Sequence, residues 1–254
     1  MSKMSLDLSG KVALITGGSR GIGKSVAMAM AEKGAKVVIC GRKQENLDLA
    51  TDEFSKNGFD IMAKVAHVGK SDQIADLFQA VDQKFGRLDI LVNNVGMSIF
   101  TPSVVEMDEG LWDKIIDLNL KSAFLTSVQA VKLMKKSGSG KIINISSVAA
   151  RKAAQGMGVY SIAKAGLEML SKVLATELVK DKINVNVVAP GMVRTEFSQP
   201  FWSNDDFLKE IVKPIPMGRI AEIDEVVGAV LFLASSLSDY ITGEVITVDG
   251  GSMA

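Results

Sequence analysis

Tyr160 and Lys164 stand four residues apart, and Ser147 lies thirteen residues before the tyrosine. On a helix, positions four apart share a face and lie about one turn from each other. A free tyrosine, with a pKa of roughly 10, is a poor base at neutral pH. A lysine ammonium within reach favours the phenolate and lowers that pKa. A serine hydroxyl brought to the same place can hydrogen-bond a carbonyl or alcohol oxygen. The three side chains thus suit proton transfer between an alcohol and a ketone. Such chemistry needs a hydride partner.

The start of the chain offers one. Thr16-Gly-Gly-Ser-Arg-Gly-Ile-Gly23 follows an apolar run and opens a long helical pattern. Gly17, Gly21 and Gly23 permit a tight turn and close approach of the backbone to a pyrophosphate, with Ser19, Arg20 and Ile22 in the same turn. The helix that follows supplies free N–H groups and the positive end of a dipole. The first gap of this G-x-x-x-G-x-G pattern is one residue longer than in the usual dinucleotide fingerprint. Binders of the non-phosphorylated cofactor often place an acid at the end of the second strand. Here the chain reads Cys40-Gly41-Arg42-Lys43. Arg20 and Arg42 together suit a 2′-phosphate through charge-assisted bonds, so NADP(H) is expected over NAD(H).

The elements that must position these groups alternate along the chain. Short apolar runs fall at 11–16, 37–40, 61–65, 90–92, 142–145, 185–188 and 245–248, with 61–65 the weakest. Helical patterns lie between them, at 23–33, 71–85, 111–136, 159–180 and 224–234. Continuous apolar strands alternating with helices predict a parallel sheet covered on both faces. The expected fold is therefore α/β: a Rossmann-type doubly wound sheet of seven strands in a single domain, order 3-2-1-4-5-6-7. The helix carrying Tyr160 has two apolar stripes. Ala163, Leu167, Leu170 and Leu174 form one, and Ile162, Gly166, Met169 and Val173 the other. A helix apolar on two sides is buried on both, so one side is expected to meet a second subunit.

Hydrophobic residues make up 47% of the chain, enough for a two-sided core. Lysine plus arginine equals aspartate plus glutamate at 29 each, which gives no basic balance for nucleic acid. The single cysteine, Cys40, rules out an internal disulfide and fits the cytoplasm. No apolar run is long enough to span a membrane, and MSKMSLDLSG does not read as a signal peptide. No metal site is expected.

Laid out in order, these motifs resemble the short-chain dehydrogenase/reductase family, near its tropinone reductases and 3-oxoacyl-carrier-protein reductases. The resemblance runs from Leu8 to Gly251 and rests on five motifs: TGGSRGIG at 16–23, NNVG at 93–96, Asn119 within DLNLKS, Ser147 with YSIAK at 160–164, and PGMVRT at 190–195. It implies that Tyr160 is the general acid/base. Lys164 would bind the nicotinamide ribose and depress the tyrosine pKa. Ser147 would hold the substrate oxygen, and Asn119 would perturb its helix and position a relay water. Asn94 and Gly96 would line the cofactor near the adenosine ribose, while Pro190, Gly191, Val193 and Thr195 would meet the nicotinamide. Val68 would contact the adenine. His67 stands where the family often has Asp, and stacks on or bonds the adenine or else points to solvent. A homotetramer follows from family habit.

The segment 194–213 holds Phe197, Phe201, Trp202, Phe207 and Leu208 among polar residues, and is read as a substrate lid with an apolar face. Met97, Ile99, Phe100, Met157 and Met192 are expected at the same rim, so the substrate is expected to be an apolar or cyclic carbonyl compound or alcohol. Two alternatives stand beside this reading. One is a 3-oxoacyl-carrier-protein or 3-oxoacyl-CoA reductase, with the carrier docked by Lys135-Lys136 and Lys180-Asp181-Lys182. The other is a cofactor-binding regulator without catalysis. Arg151-Lys152 either meets an anionic substrate group or lies in a solvated loop.

Overall fold

The computed structural model describes residues 6–101, 103–153, 156–196 and 198–254. Its strands are β1 (Val12–Thr16), β2 (Lys36–Gly41), β3 (Met62–Val65), β4 (Ile90–Asn93), β5 (Gly140–Ile145), β6 (Ile183–Pro190) and β7 (Val245–Val248). All neighbours pair in parallel, in the order β3-β2-β1-β4-β5-β6-β7. This is the expected doubly wound sheet of seven strands. The helices are α1 (Gly21–Glu32), α2 (Gln44–Lys56), α3 (Ser71–Phe85), α4 (Glu109–Ile116), α5 (Ser122–Ser137), α6 (Gly158–Leu178), α7 (Gln199–Trp202), α8 (Asp205–Val212) and α9 (Ile223–Ala234).

Side-chain alternation splits the core into two layers. Ala13, Ile15, Val37, Ile39, Ile143 and Val188 face α1, α2 and α9, where Met30, Phe54 and Val230 are fully buried. Val12, Leu14, Val38, Leu91, Ile142 and Val185 face α3, α5 and α6, against Leu77, Met134 and Ala175. Fully burying one such aliphatic side chain contributes about 1.5–3 kcal/mol, so the two layers together hold the sheet between its helices.

The predicted helix 111–136 is interrupted. Asp117–Lys121 forms a π-helical turn between α4 and α5. The cause is local: Asn119 Nδ2 donates to the Ile115 carbonyl at 2.9 Å, competing with the backbone for the i−4 acceptor. Every segment carrying a candidate site residue leaves the carboxyl end of a strand. Strand order reverses between β1 and β4, the crevice where ligands of such sheets bind.

Candidate active site

The glycine turn joins β1 to α1. Gly17 and Gly21 adopt positive φ of 65° and 53°. A Cβ on Gly23 would stand 2.4 Å from the Gly17 carbonyl, so only glycine lets α1 start this close to the turn. Above Gly21 the space is open. Arg20 occupies the N-cap of α1 without a side-chain cap, which leaves the first N–H groups of the helix for a ligand. These features fit a dinucleotide pyrophosphate. Ile22 packs on the core below, and Ser19 lies over Gly41 at the end of β2.

Asn94 serves this turn from within the protein. Its Nδ2 donates to the carbonyls of Thr16 (3.0 Å) and Gly17 (3.3 Å), and its backbone N–H donates to Thr16 Oγ1 at 3.0 Å. The side chain thus locks β1 to β4 at the switch point, a task the sequence reading had not given it. Arg20 lies 3.6 Å from Glu196, and both are exposed. Arg42 is exposed at the end of β2, where its charge and that of Lys70 add to burial in holding His67 below the usual imidazole range. His67 Nδ1 accepts from Gly69 N–H at 3.0 Å, so the neutral ring carries its proton on Nε2. Val68 is buried beside it.

The proton-transfer residues meet at the end of β5. Ser147 follows the strand, and Tyr160 and Lys164 come from α6. The Ser147 hydroxyl lies near enough to the Tyr160 phenol to favour its ionised form, and accepts from Ala149 N–H at 3.2 Å. Lys164 is buried, its Nζ donating to the Ile145 carbonyl at 2.8 Å and lying 5.6 Å from the Tyr160 ring centroid. The phenol differs from the sequence expectation. Burial pushes it up to about 12, with the Ser147 hydroxyl pulling the other way. Burial also takes Lys164 down to about 8. Desolvation dominates at the phenol, and the Lys164 ammonium is turned to a carbonyl of β5.

Asn119 closes the inner side. Its Nδ2 donates to Met97 O (2.8 Å) and its Oδ1 accepts from Met97 N–H (3.1 Å). Gly96 sits in this clamp, where a Cβ would stand 3.0 Å from Asn119 Oδ1 and 3.4 Å from Lys164 Nζ. On the far side, Pro190 ends β6 and Gly191 N–H donates to Val248 O at 2.9 Å. Val193 is buried and bridges Ala221. Thr195 N–H donates to Ser198 Oγ at 3.1 Å.

Sequence reasoning missed three sets of residues. Ser198 is buried, its hydroxyl bonded to Val193 O and taking a 3.0 Å bond from Trp202 Nε1, so it roots the segment after β6. Asn93 and Asn144 form a buried polar brace: Asn93 donates to Asn144 at 2.8 Å, and Asn144 to Ser171 at 2.8 Å. Glu168 bonds Ser146 and Arg151, so Arg151 is neither free nor merely solvated. For Asn93 and Asn144, a polar residue inside an apolar strand was the available signal.

Around Tyr160 pack Ile115, Ala149 and Val159, with Met97, Met107, Trp112 and Met157 partly buried against them. In the segment 194–213, Phe201 and Phe207 stack at 6.4 Å, and Arg194 lies over Trp202 at 4.9 Å. Phe197 falls outside the described residues. A recess of about 390 Å³ beyond Met192, lined also by Ile215, Thr247 and Asp249, touches none of Ser147, Tyr160 or Lys164. Among the described residues no cluster of side chains could hold a metal, and no helix is long and apolar enough to cross a membrane.

A family model described as enoyl-(acyl carrier protein) reductase matches residues 17–253. Dehydrogenase/reductase SDR family member 4 of Bos taurus is 38% identical over 97% of this chain and 88% of its own length. A tropinone reductase homolog of Arabidopsis thaliana is 40% identical over 96% of this chain and 92% of its own. Among solved structures, a gluconate 5-dehydrogenase of Burkholderia cenocepacia in complex with NADP and tartrate superposes with a TM-score of 0.93 at 33% identity, covering 97% of this chain and 96% of that one. The chain belongs to the short-chain dehydrogenase/reductase family and is an NAD(P)-dependent oxidoreductase.

Proposed function

We propose that this enzyme interconverts a ketone or aldehyde and an alcohol with NADP(H), acting on an apolar or cyclic substrate. The observation that carries the reading is the meeting of Ser147 with the Tyr160 phenol, beside buried Lys164. When bound, the cofactor supplies or accepts the hydride. Tyr160, protonated at neutral pH, delivers its proton to the substrate oxygen in reduction. Ser147 donates to the same oxygen and stabilises the charge that develops there. Lys164 holds a ribose hydroxyl and compensates negative charge on the phenol. Asn119 shapes the Gly96–Met97 turn against Lys164 and orders a relay water there.

The remaining assignments follow the same geometry. Gly17, Ser19, Gly21, Ile22 and Gly23 frame the pyrophosphate, with Asn94 fixing the turn. Arg42 takes the 2′-phosphate, aided by Arg20 once it leaves Glu196, and His67 and Val68 flank the adenine. The NADP in the Burkholderia relative supports the cofactor choice. Pro190, Gly191, Val193 and Thr195 border the nicotinamide. Residues 194–213 act as a lid on a one-domain enzyme, and its aromatic side chains with the methionines around Tyr160 favour an apolar substrate. Buried Cys40 suits the reducing cytoplasm.

An acyl-carrier substrate is the second reading, favoured by the description of the matching family model. Two of its docking lysines are already engaged, Lys135 with Asp181 at 2.8 Å and Lys136 with Asp82 at 2.7 Å. Small ketones are therefore preferred. The test is Tyr160→Phe, assayed by reduced-nicotinamide absorbance over a panel of cyclic and aromatic ketones. Turnover should fall by about 10²-fold or more with cofactor binding retained. A variant keeping more than about a tenth of the rate would refute Tyr160 as the acid/base.

A further inference from the structure

Ser147 and Tyr160 come from different elements, and their pairing needs the segment after β5 held against α6. Nothing in Ser147 itself does this, since its other contact is the N–H of Ala149 two residues on. The holding contacts lie on either side of it. Ser146 Oγ donates to Glu168 Oε1 at 3.2 Å and lies 3.4 Å from the Lys164 carbonyl. Arg151 Nε donates to Glu168 Oε2 at 3.1 Å. One carboxylate therefore grips the chain one residue before Ser147 with one oxygen and four residues after it with the other.

Glu168 suits this task by place and by charge. It lies four residues beyond Lys164 and eight beyond Tyr160, on the helix face that looks at β5. It is buried, while the Arg151 side chain is partly open to solvent. A buried carboxylate is costly unless paired and hydrogen-bonded, so the bracket is held shut by the penalty of opening it. Arg151 NH1 also donates to Thr247 of β7 at 3.2 Å, which fixes the guanidinium from a third element.

We propose that Glu168, with Arg151, is a positioning residue: its carboxylate brackets the segment 146–151 and sets the Ser147 hydroxyl on the Tyr160 phenol. The proposal rests on the reading of Ser147 and Tyr160 as the proton-transfer pair. Its test does not need a substrate. The chain has two tyrosines, Tyr160 and the fully exposed Tyr240. Enzyme labelled with ¹³Cζ-tyrosine should give two signals, assigned through Tyr240→Phe, with Tyr240 as internal reference. Ser147→Ala should displace the Tyr160 signal. Glu168→Ala and Arg151→Met should displace it in the same direction, with the Tyr240 signal unmoved and Tm showing a folded protein. A wild-type Tyr160 signal in either folded variant, with Ser147→Ala displaced, overturns the proposal. So does an undisplaced signal in Ser147→Ala. If Glu168→Ala does not fold, Arg151→Met, altered at an outer side chain, decides alone. The Tyr160→Phe assay fails separately if the underlying reading is wrong, because it measures turnover and not the phenol's surroundings.

Discussion

At Lys164 the site places an ammonium where burial opposes it, and this has a measurable consequence. Its pKa falls from 10.5 to about 8, so between those values the folded chain holds fewer protons than the unfolded one. Stability contributed by this group must then rise as pH climbs through that window, as the cost of a buried charge is relieved. Tyr160 acts in the opposite sense at higher pH. Its folded value of about 12 lies above the ordinary 10.0, so its contribution is present below pH 10 and is lost as pH rises toward 12. Lys164→Met should abolish the rise of Tm expected above pH 8; a parallel pH dependence in wild type and variant would contradict the burial argument. Arg42 gives a second test at this scale. Arg42→Ala should weaken NADP(H) binding by about tenfold or more and leave NAD(H) nearly unchanged, since charge-assisted bonds contribute roughly 1.5–3 kcal/mol. Equal losses for both cofactors, read by fluorescence titration, would remove the 2′-phosphate assignment. The weight falls on Arg42 because Arg20 already faces Glu196.

Among the elements, the segment after β6 depends on one small side chain. Ser198 joins Val193 O, Thr195 N–H and Trp202 Nε1 in a single buried knot. Without its hydroxyl, the Trp202 and Thr195 donors lose their acceptor at a cost of about 1–3 kcal/mol of local stability. The two-layered core does not involve Ser198, so the loss stays local. Ser198→Ala should therefore leave Tm close to wild type, raise KM several-fold and admit limited proteolysis within 194–213. Unchanged KM and an uncut segment would show that the lid is rooted elsewhere, for instance through Arg194, which meets both Glu222 and Trp202.

For the whole molecule, the outer face of α6 remains to be covered. Ile162, Met169 and Val173 are 46%, 60% and 45% exposed, and Phe124 and Val128 of α5 are open as well. The second stripe predicted on α6 is therefore solvent-facing in one chain, except at Gly166, where Leu120 of the π turn packs close. Several large apolar side chains on neighbouring helices suit a protein interface. A second copy meeting the same face in a two-fold arrangement would cover both patches, in keeping with the homotetramer expected from the resemblance. Met169→Glu, which touches no site residue, should shift sedimentation velocity to smaller species. A wild-type chain that sediments as a monomer would exclude the assembly.

The sequence by itself determined what depends on short range. Strand alternation set the two core layers, the turn at 16–23 marked the first βα junction, and Tyr160 with Lys164 shared a helix face because four residues make one turn. Even α3 could be bounded as Ser71–Phe85, and the structure caps it there with Gly86 in the left-handed conformation. What the tertiary structure decided are the partnerships between distant segments. Asn94 proved to be a brace of the glycine turn, Arg20 turned to Glu196, and Glu168 bracketed Ser147. The direction of the Tyr160 shift belongs here too. Sequence spacing sets how near a lysine is to a phenol, but desolvation depends on everything packed around both, and the packing of β5, α4 and α6 exists only once the chain has folded.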